Sequence, residues 1–133
     1  MECSGQVSIW LGNFNDLSDL ERYVQTKYTD DGDSINSKFE TDFKIDYFDE
    51  DFREINVLEE SQNSFSDILE DHSYYKSIIA NYTDQYSDIL DKHYNSIILL
   101  YDFKYTENVK EIEKENLYIK FIGSIEYDET EMD

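Results

Sequence analysis

The chain has 133 residues, of which 11 are Lys or Arg and 32 are Asp or Glu, leaving a formal charge of −21. That length favours one domain, and 39% hydrophobic and 16% aromatic content is rich enough in core formers to argue against disorder. A field of this sign repels nucleic acid and anionic membrane and attracts cationic surfaces over roughly 10 Å.

In chain order, QVSIWLGNF (6–14) alternates Val7, Ile9 and Leu11 against Trp10 and is predicted as a strand. Asn15 or Asp16 then caps a helix running through DLSDLERYVQTKY, with Leu17, Leu20 and Val24 at helical spacing. TDDGD (29–33) is a turn in which Gly32 is free to take a positive φ. SINSKFETDFKI (34–45) sets Phe39 and Phe43 four apart, as in a short helix. REINVLEE is a weak strand through Ile55 and Val57. SFSDILEDH (64–72) places Phe65, Ile68, Leu69 and His72 on one helical stripe capped by Ser64. Ile78, Ile79, Tyr82, Tyr86, Ile89 and Leu90 extend a helix from Tyr75 to Leu90, although its first part (73–79) reads equally as strand.

YNSIILLYDFKY (94–105) is the strongest strand, with Ile97, Leu99, Tyr101 and Phe103 on one face and Ile98 and Leu100 on the other. Apolar residues on both faces predict a central strand. NLYIKFIGSIEY (116–127) presents Leu117, Ile119, Phe121, Ile125 and Tyr127 on one face. Since only TENVKEIEKE separates the two, an antiparallel hairpin between them is expected. The acidic end, 128–133, is expected to fray. With no Pro and four Gly, no linker divides the chain. The order of elements predicts a single α+β domain (1–133), a small, mostly antiparallel sheet with several helices packed on it.

The chemistry-bearing residues are few. Cys3 is the sole cysteine, which excludes an internal disulfide. No signal peptide is visible and IILLY (97–101) is too short to span a bilayer, so a cytoplasmic location is expected. The acid runs lack the Gly and Glu positions of an EF-hand loop. His72 on its apolar stripe reads as a core imidazole, and His93 as a residue near a helix end. Neither has zinc-ligand spacing. No nucleophile motif or glycine-rich phosphate cradle is present, and no basic patch serves nucleic acid. No enzyme activity, metal or cofactor is therefore expected.

What stands out is DYFDEDFRE (46–54): Asp46, Asp49, Glu50, Asp51 and Glu54 around Tyr47, Phe48, Phe52 and Arg53. Aromatic anchors, a guanidinium and a polar rim are the make-up of a protein-binding patch. The alternative is that Phe48 and Phe52 pin a solvated loop to the core. Asp46, Tyr47, Asp49, Glu50, Asp51, Arg53 and Glu54, with Asp30, Asp31 and Asp33 of the nearby turn, are the candidate contacts for a basic protein partner.

VSIWLGNF (7–14), KYTDDGDSINSKF (27–39), DEDFRE (49–54), YNSIILLYDFKY (94–105) and IKFIGSIEY (119–127) together resemble the immunity protein 22 family of bacterial polymorphic toxin systems. The resemblance implies an antitoxin that binds and neutralises a cognate toxin, a nuclease being one candidate, in the cytoplasm. It carries no catalytic residues. A rival reading of the charge is a nucleic-acid mimic, such as a phage anti-restriction protein, whose carboxylates stand in for phosphates.

Overall fold

A computed structural model describes residues 2–130. Its frame is a five-stranded antiparallel sheet of β1 (Glu2–Asn13), β4 (Arg53–Ser64), β5 (Ile89–Phe103), β6 (Glu111–Lys114) and β7 (Leu117–Glu126), in the order β4-β5-β1-β7-β6. Helices α1 (Leu17–Val24) and α2 (Lys38–Phe43) cover one face, and α3 (Phe65–Leu69) and α4 (Tyr75–Gln85) the other. A two-stranded ribbon of β2 (Lys27–Tyr28) and β3 (Ser34–Ile35) lies between α1 and α2 in the chain. The α+β class and antiparallel sheet read from the sequence are those observed.

β1 is buried on both sides because its side chains alternate between two cores. Val7, Ile9 and Leu11 join Phe65, Ile68, Leu69 and Ile78 beneath α3 and α4. Trp10 points the other way, edge-on to Phe39 with ring centres 4.9 Å apart and in contact with Phe43, Tyr105 and Phe121. Its buried indole N–H has no hydrogen-bond partner among the described residues, so shape and apolar burial alone hold the ring.

The local signals operate as the sequence implies at several points. The Asp16 carboxylate accepts from the Asp19 N–H, opening α1. Ser37 and Glu40 form a reciprocal capping box at α2, each side chain accepting from the other's N–H at 3.1 and 2.9 Å. Gly32 has a φ of +88° in the β2–β3 turn, and the Ser64 hydroxyl accepts from the Asp67 N–H to start α3. Segment 73–79 resolves as helical from Tyr75 onward.

Five expectations are corrected. The hairpin between 94–105 and 116–127 does not form: β1 lies between β5 and β7, and β7 takes its hairpin partner from β6 instead. A strand as apolar on both faces as β1 is stable only inside the sheet, and antiparallel pairing to both neighbours places it there. Helix α4 ends at Gln85, so Ile89 and Leu90 begin β5, and Ile89 is exposed. His93 therefore sits in a strand and not near a helix end. Leu17 is exposed, and Tyr23 takes the place in the core that Leu17 was expected to fill.

The fifth correction is one of parity. Phe103 packs with Trp10, opposite Tyr101, and Phe121 lies opposite Ile125. Each reversal falls at a bulge, where an extra residue flips the face of all that follows. On β7 the break opposite Ile9 and Trp10 falls at Ile122 and Gly123. On β5 it falls at Asp102, whose φ is +54°, against Gly5 in β1 at +79°. The Asp102 carboxylate binds this junction together: its Oδ1 accepts from the Gly5 N–H at 2.9 Å and from the Tyr127 hydroxyl at 2.7 Å. The expected frayed tail is described only as far as Thr130, where Asp128 accepts from the Thr130 N–H; residues 131–133 lie outside the described range.

Two stability predictions follow from this geometry. A Cβ on Gly12 would run into the backbone carbonyl oxygen of Tyr118; Gly12→Ala should cost about 1–3 kcal/mol in urea unfolding, through displacement of β7. Burial pushes the Asp102 carboxyl up, but the hydrogen bonds from Tyr127 and Gly5 prevail and hold it below the usual carboxylate range. A depressed pKa contributes stability above the unfolded value of about 4, and that contribution is lost as pH falls through the folded value. Asp102→Asn should therefore cost about 1 kcal/mol at pH 7, after allowance for its partial exposure, with the gap to the unaltered chain closing below about pH 4.

Candidate functional site

The run 46–54 is fixed at its ends and free in its middle. Ile45 and Phe48 are buried in the core beneath α1 and α2. The Asp49 carboxylate accepts from the Asp51 N–H at 2.9 Å and starts a single 3-10 turn, Glu50–Phe52. Glu50 accepts from the Thr26 N–H at 3.3 Å, and Arg53 reaches the Val24 carbonyl at 3.4 Å. Asp46, Tyr47, Asp51 and Phe52 are thereby left facing solvent. Tyr47 is 72% exposed and Phe52 48%, so of the two phenylalanines only Phe48 is a core anchor.

The two charged residues at the end of the run have internal roles. Glu54 accepts from the Ser73 N–H at 3.1 Å, from the Ser73 hydroxyl at 3.2 Å and from the Tyr101 hydroxyl, tying β4 to the α3–α4 turn. His72 lies 4.0 Å from it, where burial drives the imidazole pKa down against the opposing pull of Glu54 and Asp71. Arg53 is half-buried and turned toward the end of α1. By contrast, Asp46, Asp49, Glu50 and Asp51 are exposed, and none has an ion-pair partner among the described residues. Uncompensated like charges packed this closely repel one another and are relieved by a cation from outside.

The fold brings the β2–β3 ribbon up to this run. Tyr28 and Ser34 line the same depression, of about 230 Å³, as Asp46, Tyr47 and Asp49. Asp30, Asp31 and Asp33 are exposed at the ribbon's turn and are not among its lining residues. On the other side of the run a concavity of about 420 Å³ is lined by Glu2, Asp46, Tyr47, Phe52, Tyr101 and Asp102, among others. It adjoins a second of about 310 Å³ that reaches Tyr127 and Glu129. Glu2, Asp102 and Glu129 did not emerge as candidates from the sequence, since they meet the 46–52 loop only through the pairing of β5 with β4, of β1 with β5 and of β7 with β1. The one local signal was an acid interrupting the apolar run LLYDF.

Chemically this arrangement offers exposed rings, fixed carboxylates and open concavities. No group of three or more His, Cys, Asp or Glu converges to hold a metal among the described residues. No helix among them is long and apolar enough to cross a membrane.

No curated protein and no solved structure is significantly similar to this chain. One family model, described as immunity protein 22, matches residues 7–128, from the middle of the central strand β1 to just past the end of β7. The match spans every element that shapes the two cores and the acidic surface. The chain therefore belongs to the immunity protein 22 family.

Proposed function

We propose that this protein is an immunity protein that neutralises a cognate toxin by stoichiometric binding in the cytoplasm, through the acidic, aromatic-bearing surface built on residues 46–52. Family membership supports the immunity role. The observation that supports this binding surface is the pairing of two exposed rings, Tyr47 and Phe52, with four exposed carboxylates that have no ion-pair partner among the described residues. A single exposed ring is ordinary, but two rings on one short loop with a rim of carboxylates have the make-up of a protein interface. The β2–β3 turn with Asp30, Asp31 and Asp33 extends the negative surface beside the run.

A toxin that cleaves nucleic acid needs a positive groove for phosphate, which makes a nuclease domain a fitting partner for a chain of charge −21. The charge then acts on the approach, with association rates toward the order of 10⁸ M⁻¹s⁻¹ at low salt. The rings act on residence, because dissociation must expose them again. Inhibition of this kind needs no turnover by the chain itself.

Two tests bear on the reading. Co-expression should rescue cells from the toxin encoded beside this gene and from no unrelated toxin; loss of viability at a one-to-one ratio would reject the immunity role. Asp49→Lys with Asp51→Lys should slow association on the order of tenfold at low salt and flatten its salt dependence in stopped-flow measurements. An unchanged rate would place the interface elsewhere on the chain.

A further inference from the structure

The geometry points to the groove beside Phe52 as the seat of an arginine or lysine side chain presented by a basic protein segment. For the identity of that partner, the inference rests on the immunity reading. The two concavities of about 420 and 310 Å³ share Phe52, Tyr101 and Asp102, so they adjoin at the Phe52 ring as the two halves of one groove, called the channel below. Tyr47 and Asp49 line one end of it and Glu129 the other.

Each part suits a long cationic side chain. Its methylene stem covers ring surface that is otherwise wet, on Phe52 and Tyr47, and its head group gains from a ring face nearby. The head group then meets carboxylates that are already in place. Asp102 is held in a left-handed backbone conformation, with Oδ1 bonded to the Gly5 N–H and the Tyr127 hydroxyl, so little ordering is needed on binding. Glu129 shares a hydrogen bond with Asp102, and that bond, followed by the Asp102 charge, raises the Glu129 pKa; a cation seated between the two carboxylates takes the place of the shared proton. An anionic segment is repelled here. A neutral apolar one would desolvate the carboxylates without pairing them. Arg53 lines the smaller concavity, but its guanidinium reaches away to the Val24 carbonyl and pairs with no carboxylate among the described residues, which leaves Asp102 and Glu129 to a cation from outside.

The test is an NMR titration of the ¹⁵N-labelled chain at low salt with a capped Gly-Arg-Gly-Arg-Gly peptide. A Gly-Gln-Gly-Gln-Gly peptide and calcium chloride serve as separate arms. Saturable shifts should concentrate at residues 47–53, 101–103 and 127–129 with the arginine peptide alone. Phe52→Ser, which leaves the charge unchanged at a half-exposed position, should weaken peptide binding about fivefold. Glu59→Gln with Glu60→Gln removes two exposed charges of β4 outside the channel and should change it by less than about twofold. Shifts spread evenly over the acidic surface would overturn the inference. So would an unchanged affinity for Phe52→Ser, or the same shifts with calcium and none with peptide. If the peptide result holds while co-expression fails to protect cells, the groove stands and the toxin partner falls.

Discussion

The structure depends on the insertion of β1 between β5 and β7. That strand carries apolar side chains on both faces, and only an interior position in the sheet buries both sets. Val7, Ile9 and Leu11 complete the core under α3 and α4, while Trp10 organises the aromatic core under α1 and α2. The two cores supply the apolar burial that holds together a chain carrying 32 acidic side chains. Both are nearly free of charge; among the buried residues the acidic exception is Glu40, which is fixed in its capping box.

The same insertion shapes the functional surface. β1 enters the sheet at Glu2, opposite Phe103, and the ladder then breaks until Val7 meets Tyr101. The break is closed by Asp102 holding Gly5 and Tyr127, and these residues line or underlie the channel beside Phe52. In the proposed reading stability and recognition share one junction: the carboxylate that locks the bulge also lines the channel proposed to meet a partner. Glu54, one residue beyond the acidic loop, belongs to the scaffold, whereas Asp46, Asp49 and Asp51 remain free for an external cation.

Local chemistry was legible in the sequence and long-range placement was not. The caps at Asp16, Ser37 and Ser64 and the turn at Gly32 follow from nearest neighbours, and each is found where its residues predict it. The pairing of β5 with β1 in place of β7 is set by which strand most needs burial. Trp10 opposite Val7 and Ile9 was the clue to it, but a short connection between two strong strands argued for a hairpin. The parity reversals at Asp102 and Ile122 arise from bulges that exist only once strands of unequal register are paired. In the candidate site, DYFDEDFRE was legible as an exposed acidic and aromatic run, but the spacing of Phe48 and Phe52 implied a shared face that a single 3-10 turn does not give. Glu2, Asp102 and Glu129 lie far from the run in sequence, and only strand pairing brings them to it.

The central claim is that the end of the sheet bearing the 46–52 loop meets a cationic partner. Amide hydrogen exchange of the chain, alone and bound to the toxin encoded beside it, tests this most directly. Binding should slow exchange at residues 46–52 and 127–130 and leave the exposed amides of α4 unchanged. Protection confined to α4 and the start of β5, with the 46–52 loop exchanging as in the free chain, would contradict the account.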